Sequence, residues 1–157
     1  MKNKFKIPIM LILFVLMVYQ MQKWGTQEYK KDSLELKNNF ILKGIVDSFQ
    51  ISNNHCFAVI YLSHFESNFN YFNPKKNKKY FPYAINGKSA EVYTGVCSRQ
   101  IDSGDSIIID SNKRTVFFRT KILGNHEGDI NFVQGDIGYI KQKSKLFPQN
   151  FKKNERF

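Results

Sequence analysis

The sequence predicts a mainly β protein: a small OB-like barrel or β-roll of five to six strands, preceded by one N-terminal hydrophobic helix. Three observations predict it. An unbroken apolar run follows a lysine-rich start, aromatic and β-branched residues abound in the remainder, and turn signals recur between short apolar runs. The chain divides into an anchor or signal (residues 1–24), a polar stalk (25–38), a β-barrel-like domain (39–141) with a basic aromatic insertion (63–80), and a basic tail (142–157).

The first element follows Lys2, Lys4 and Lys6. Residues 7–19 are apolar without interruption, and Gln20, Gln22 and Lys23 end the run. A strict run of this length is short for a span of about 20 residues and suits a secretory h-region of about 7–15. Extension to Trp24 lengthens it, with Tyr19 and Trp24 as the ring types favoured at a bilayer interface. Two readings stay open, a retained anchor and a cleaved signal. No A-x-A-like site follows the run, and no Cys follows it for lipoprotein processing. The N-terminal lysines favour the cytoplasmic side, so the expectation is a single-pass membrane protein with its domain outside the cytoplasm.

The domain opens with a long strand over 40–51, containing Gly44. A glycine inside a strand suits a bulge or a barrel corner. Ser52, Asn53 and Asn54 make a turn, and residues 55–62 return as a strand apolar on both faces. After the insertion, a hairpin is expected around Asn86-Gly87, pairing 80–85 with 90–96. Ser103-Gly104-Asp105 turns into a strand from Ser106, and residues 110–114 turn into 115–122. Glycines then punctuate a looser region with weak strands near 130–132 and 137–140, and a frayed tail follows Lys141.

Residues Lys43-Gly44-Ile45-Val46, Gly104-Asp105-Ser106-Ile107 and Val116-Phe117 form a pattern. It resembles a group of small, N-terminally anchored bacterial envelope proteins of unknown function with an OB-like or barrel-like domain. The resemblance spans roughly Lys43 to Phe118. It implies a fold and a location, and carries no activity and no site residues.

Charge is unevenly spread. From residue 33 onward there are 18 Lys and Arg against 11 Asp and Glu. Lys75, Lys76, Lys78 and Lys79 supply four positives, and Lys141, Lys143, Lys145, Lys152, Lys153 and Arg156 supply six more. The domain body is near neutral. In the insertion, Phe65, Phe69, Tyr71, Phe72, Tyr80, Phe81 and Tyr83 flank the lysines. Such interleaving suits single-stranded nucleic acid or an anionic membrane surface, and equally suits rings packed inward with lysines in water. The candidate contact surface is Lys75, Lys76, Lys78, Lys79, Tyr71, Phe72 and Tyr80. The expected partners are the membrane, through the N-terminal helix, and an envelope protein or anionic surface polymer, with nucleic acid disfavoured by location.

Cys56 and Cys97 are the two cysteines, and pair as a disulfide or sit apart as buried thiols. His64, Glu66, His126, Glu127 and Asp129 are the residues a metal or hydrolase reading would use. They form no zincin spacing, Gly95-Val96-Cys97-Ser98-Arg99 is no nucleophile elbow, and Gly87-Lys88-Ser89 lacks the first glycine of a phosphate loop. No cofactor, metal or catalytic residue is expected. The functional expectation is a membrane-anchored envelope protein acting as a non-catalytic interaction or structural module. The alternatives are an OB-like binder of nucleic acid or glycan through the Lys/aromatic insertion, and a hydrolase using His64 and His126.

Overall fold

The computed structural model describes residues 6–52, 56–97, 100–133 and 137–148. Lys2 and Lys4, Asn53 and Asn54 of the first turn, Ser98 and Arg99, and Lys152, Lys153 and Arg156 lie outside these. The chain forms two compact units, divided in sequence between Glu35 and Leu36.

The first unit is helical. Helix α1 (Lys6–Leu36) has 31 residues, about 47 Å at 1.5 Å per residue. It is long and apolar enough to cross a membrane, as an anchor or a signal sequence is. Every residue from Ile9 to Met17 is more than half exposed. The helix continues without a break through most of the expected stalk. Asn39, in the left-handed region at φ 59°, keeps the chain from continuing it.

The second unit is built on one eight-stranded antiparallel sheet. Its strands are β1 (Ile41–Ile51), β2 (Phe57–Ser67), β3 (Tyr71–Phe72), β6 (Tyr83–Asn86), β7 (Ser89–Gly95), β8 (Ser106–Asp110), β9 (Thr115–Thr120) and β10 (Gly124–Asp129). A separate two-stranded hairpin pairs β4 (Lys75–Lys76) with β5 (Lys79–Tyr80). The sheet order is β10-β9-β8-β1-β2-β7-β6-β3. The expected barrel is therefore corrected: β3 and β10 are free edges, and the sheet is open. Eight strands replace the expected five to six, because the insertion contributes β3 and the glycine-rich region contributes β10.

Two irregularities bend the long strands. Lys43 pairs with Glu66 and Ile45 with Ser63, so Gly44 faces two residues, His64 and Phe65. His64 sits at φ 48° in this bulge. A side chain at Gly44 would meet Phe65 Cβ at 2.9 Å and Leu62 Cδ1 at 3.0 Å, so only glycine fits. A second shift between Val46 and Ser48 bulges β1 in turn. These bends curl the sheet around a core containing Leu42, Val46, Ile60, Ile85, Val92, Ile107, Ile109, Val116 and Phe118.

The gap left by non-closure is crossed by residues 130–133. Ile130 N donates to Arg114 O (2.9 Å) and Val133 N to Tyr80 O (2.8 Å). Ile130 and Phe132 enter the main core. This stretch replaces the weak strand expected there. The outer face of β2, β7 and β6 is covered too, explaining why β2 is apolar on both faces. A second core joins Val59, Tyr80, Ala84 and Tyr93 to Val133, Ile140 and Phe147. Ile140 lies on helix α2 (Ile137–Lys143), where a weak strand was expected. Ile137 and Ile140, one turn apart, both pack on the sheet, and Lys141 and Lys143 suit the helix C-terminus. The expected frayed tail is likewise corrected over 144–148: Ser144 and Phe147 are buried, while Lys145 is exposed.

Candidate contact surface

Segment 63–80 separates rings from lysines. The β4–β5 hairpin turns at Asn77, whose φ of 55° an asparagine tolerates. Asn73 Oδ1 accepts from Lys75 N (2.9 Å) and orders the hairpin base. Lys75, Lys76 and Lys78 are exposed, and Lys79 is half-buried. Lys76 Nζ stands 5.9 Å from the Phe81 ring centroid and Lys79 Nζ 5.5 Å from that of Phe132, both in cation–π range.

The rings mostly turn inward. Phe72 packs edge-on against Phe40 (4.9 Å) and Phe81 (5.3 Å), and Phe40 stacks on Tyr83 at 3.8 Å. Phe69 joins the same cluster. Tyr80 is 1% exposed and lies against Phe147 at 4.5 Å. It therefore cannot serve the contact surface on which it was expected: the C-terminal segment covers its face. Tyr71, 63% exposed, is the ring of the seven that stands in solvent. The surface reduces to Tyr71, Lys75, Lys76 and Lys78, with Lys79 and Phe72 partly presented. No acid occurs between Glu66 and Glu91, so no neighbour in sequence offsets this charge.

Beside it lies a site the sequence reading missed. Glu91, on β7, is buried at 2% exposure. Its carboxylate accepts from Tyr93 OH (2.9 Å), from Ser144 Oγ, and from Lys145 N (2.9 Å). Ser144 Oγ accepts in turn from Phe147 N (2.7 Å) and Leu146 N (3.1 Å). Tyr61 OH donates to Lys143 O (2.7 Å). Burial, then the Glu91 charge, push the Tyr93 hydroxyl well above its ordinary pKa, and the same two causes raise Tyr61 more mildly. The cluster clamps the C-terminal segment onto the sheet. The one sequence signal was an acid alone within the apolar run of β7.

Cys56 and Cys97 form a disulfide, with Cα atoms 4.5 Å apart. It links the start of β2 to the chain leaving β7, beside the Val96 N to Cys56 O hydrogen bond (2.7 Å). Disulfides are a mark of oxidising, extracytoplasmic compartments.

The histidines are not brought together. His64 is exposed on β2, near Glu66. His126, on edge strand β10, stacks on Phe118 at 4.9 Å. Three strands separate β2 from β10, a path of roughly 19 Å along the sheet at ~4.8 Å per strand. Among the described residues, no group of three or more His, Cys, Asp or Glu is gathered as a metal would require. A crevice of about 230 Å³ lies beneath residues 129–133, floored by Val92, Ile109 and Val116. Of the candidate residues, Asp129 alone lines it, without either histidine.

The fold and these surfaces define a β-sheet domain behind an apolar helix. No family model, curated protein or solved structure matches the chain.

Proposed function

We propose that this chain is a single-pass, membrane-anchored protein of the bacterial envelope, whose β-domain is a non-catalytic interaction or structural module outside the cytoplasm. The observation that carries this reading is α1. A row of large apolar side chains, each more than half exposed, gains by burial in lipid, which supports an anchor. Lys2, Lys4 and Lys6 ahead of the helix favour an inside N-terminus. The disulfide supports the same side for the domain. The resemblance of the Gly44 strand and the Gly104-Asp105 turn to small envelope proteins agrees with this.

Exposed Tyr71, Lys75, Lys76 and Lys78 are the contact surface we assign. The hydrolase alternative gains no support, since its two histidines lie on separated strands.

The test is fractionation of native cells with an alkaline carbonate wash, combined with thiol labelling before and after reduction. Full-length protein resisting the wash, with both thiols labelled only after reduction, is expected. Thiols that label freely in the denatured, unreduced protein would place the domain in the cytoplasm and end this reading.

A further inference from the structure

We propose that the groove beside edge strand β3 binds an acidic polysaccharide. This inference rests on the reading of an extracytoplasmic interaction module and names its partner. The groove has a volume of about 220 Å³. One wall is the β3–β6 pair, where Tyr71 faces Asn86 across the ladder. The other is the C-terminal segment, through Lys145, Leu146 and Pro148. Glu91 and Ser144 hold that second wall in place, by accepting from the backbone N–H groups of Lys145 and Leu146.

The chemistry of the lining points to sugar. Tyr71 lines the groove and is 63% exposed, an aromatic surface suited to pyranose C–H groups. Asn73 and Asn86 are exposed amides at the groove. Asn73 Oδ1 is taken by Lys75 N, which leaves its NH₂ to donate to a hydroxyl. Lys145 is exposed, and no carboxylate lines the groove. Asn73 leads directly into the hairpin, where Lys75, Lys76 and Lys78 extend the positive charge. The depression on the other side of Lys145 contains Asp47 and Glu91, so a polyanion is directed toward the hairpin.

Two rival partners fit less well. Single-stranded nucleic acid needs successive aromatic platforms for its bases. Here Phe72, Tyr80, Phe81 and Tyr83 are occupied in the cores, and Tyr71 alone of the described rings lining the groove is exposed. An anionic bilayer would favour exposed aliphatic residues among the lysines. The sequence from Asn73 to Lys79 has none.

The test uses full-length protein in nonionic detergent and measures binding to polygalacturonate, neutral dextran and an oligothymidylate. Polygalacturonate should bind and weaken as salt rises, while dextran should not bind. Tyr71→Ala and Lys145→Ala should each weaken binding by about two- to tenfold, with Tyr71→Phe close to wild type and Lys113→Ala unchanged. No binding to polygalacturonate, or binding insensitive to both substitutions, overturns the proposal. Tighter binding to oligothymidylate overturns it in favour of nucleic acid. The same preparation separates the two levels. Protein washed from membranes by carbonate refutes the anchored module, whereas retained protein that ignores polygalacturonate refutes only the groove.

Discussion

Glu91 illustrates what a single residue does here. A carboxylate at 2% exposure is costly unless its oxygens are satisfied, and three donors satisfy them. Glu91→Ala leaves the Lys145 N–H without its acceptor and the Tyr93 and Ser144 hydroxyls with one shared hydrogen bond between them. The expected loss is about 2–3 kcal/mol, read from urea melts, with faster amide exchange across 144–147. A loss confined to a few tenths would mean the clamp is idle. The role was hidden in the sequence because Ser144 lies 53 residues away. Alone in an apolar strand, a glutamate reads as a solvent-facing position. Tyr80 was misplaced for a related reason: ring and lysine alternation looks the same whether the rings face water or a core.

The buried phenols carry a pH consequence at the same scale. Burial raises the pKa of both Tyr83 and Tyr93 above the ordinary value of 10.0. Their folded pKa values exceed their unfolded ones, so their contribution is intact below about pH 10. It is lost as pH climbs from there toward the raised folded values. The tyrosinate absorbance of Tyr83 and Tyr93 should therefore rise only in step with loss of β-sheet circular dichroism. A single transition near pH 10 with the sheet intact would sink this prediction.

At the level of elements, the bulge opposite Gly44 and the turn before β8 decide the shape of the sheet. The glycine was legible, since a strand interior gains nothing from it except a bend or close approach. Its partner was not, because the extra residue sits on β2. Gly44→Ala should cost about 1–3 kcal/mol, because Phe65 Cβ is tied to its backbone and cannot retreat cheaply. The turn has its own keystone. Asp105, 2% exposed, accepts from Asp102 N (2.7 Å) and Lys121 N (3.0 Å), fastening the turn to the end of β9. Asp105→Ala should lower stability by about 1–3 kcal/mol in thermal or urea melts, and Asp105→Asn by less. Strand β10 and helix α2 were poorly legible. An edge strand needs little apolar alternation, and a helix of seven residues carries too short a pattern to outvote β-branched isoleucines.

Across the whole molecule, local signals located most of the strands but not their closure. A long, bent first strand suits a barrel and an open curled sheet equally. The choice falls to residues 130–133, whose contacts with Arg114 and Tyr80 lie far away in sequence. Two cores back to back, rather than one enclosed interior, are the result. The cross-link at Cys56 and Cys97, 41 residues apart, acts on this assembly as a unit. Reduction, or Cys97→Ser, should lower unfolding free energy by about 4 kcal/mol if chain entropy dominates. Denaturant melts with and without reductant measure it, and matching midpoints would refute it.

An open sheet must also avoid recruiting its neighbours. Edge strand β10 is Gly-Asn-His-Glu-Gly-Asp, with no aliphatic side chain along its length. Two copies pairing there would bring the carboxylates of Glu127 and Asp129 from both into a single ribbon, which like-charge repulsion opposes. The exposed acids that resembled metal ligands thus serve as a fence, keeping crowded copies from polymerising edge to edge.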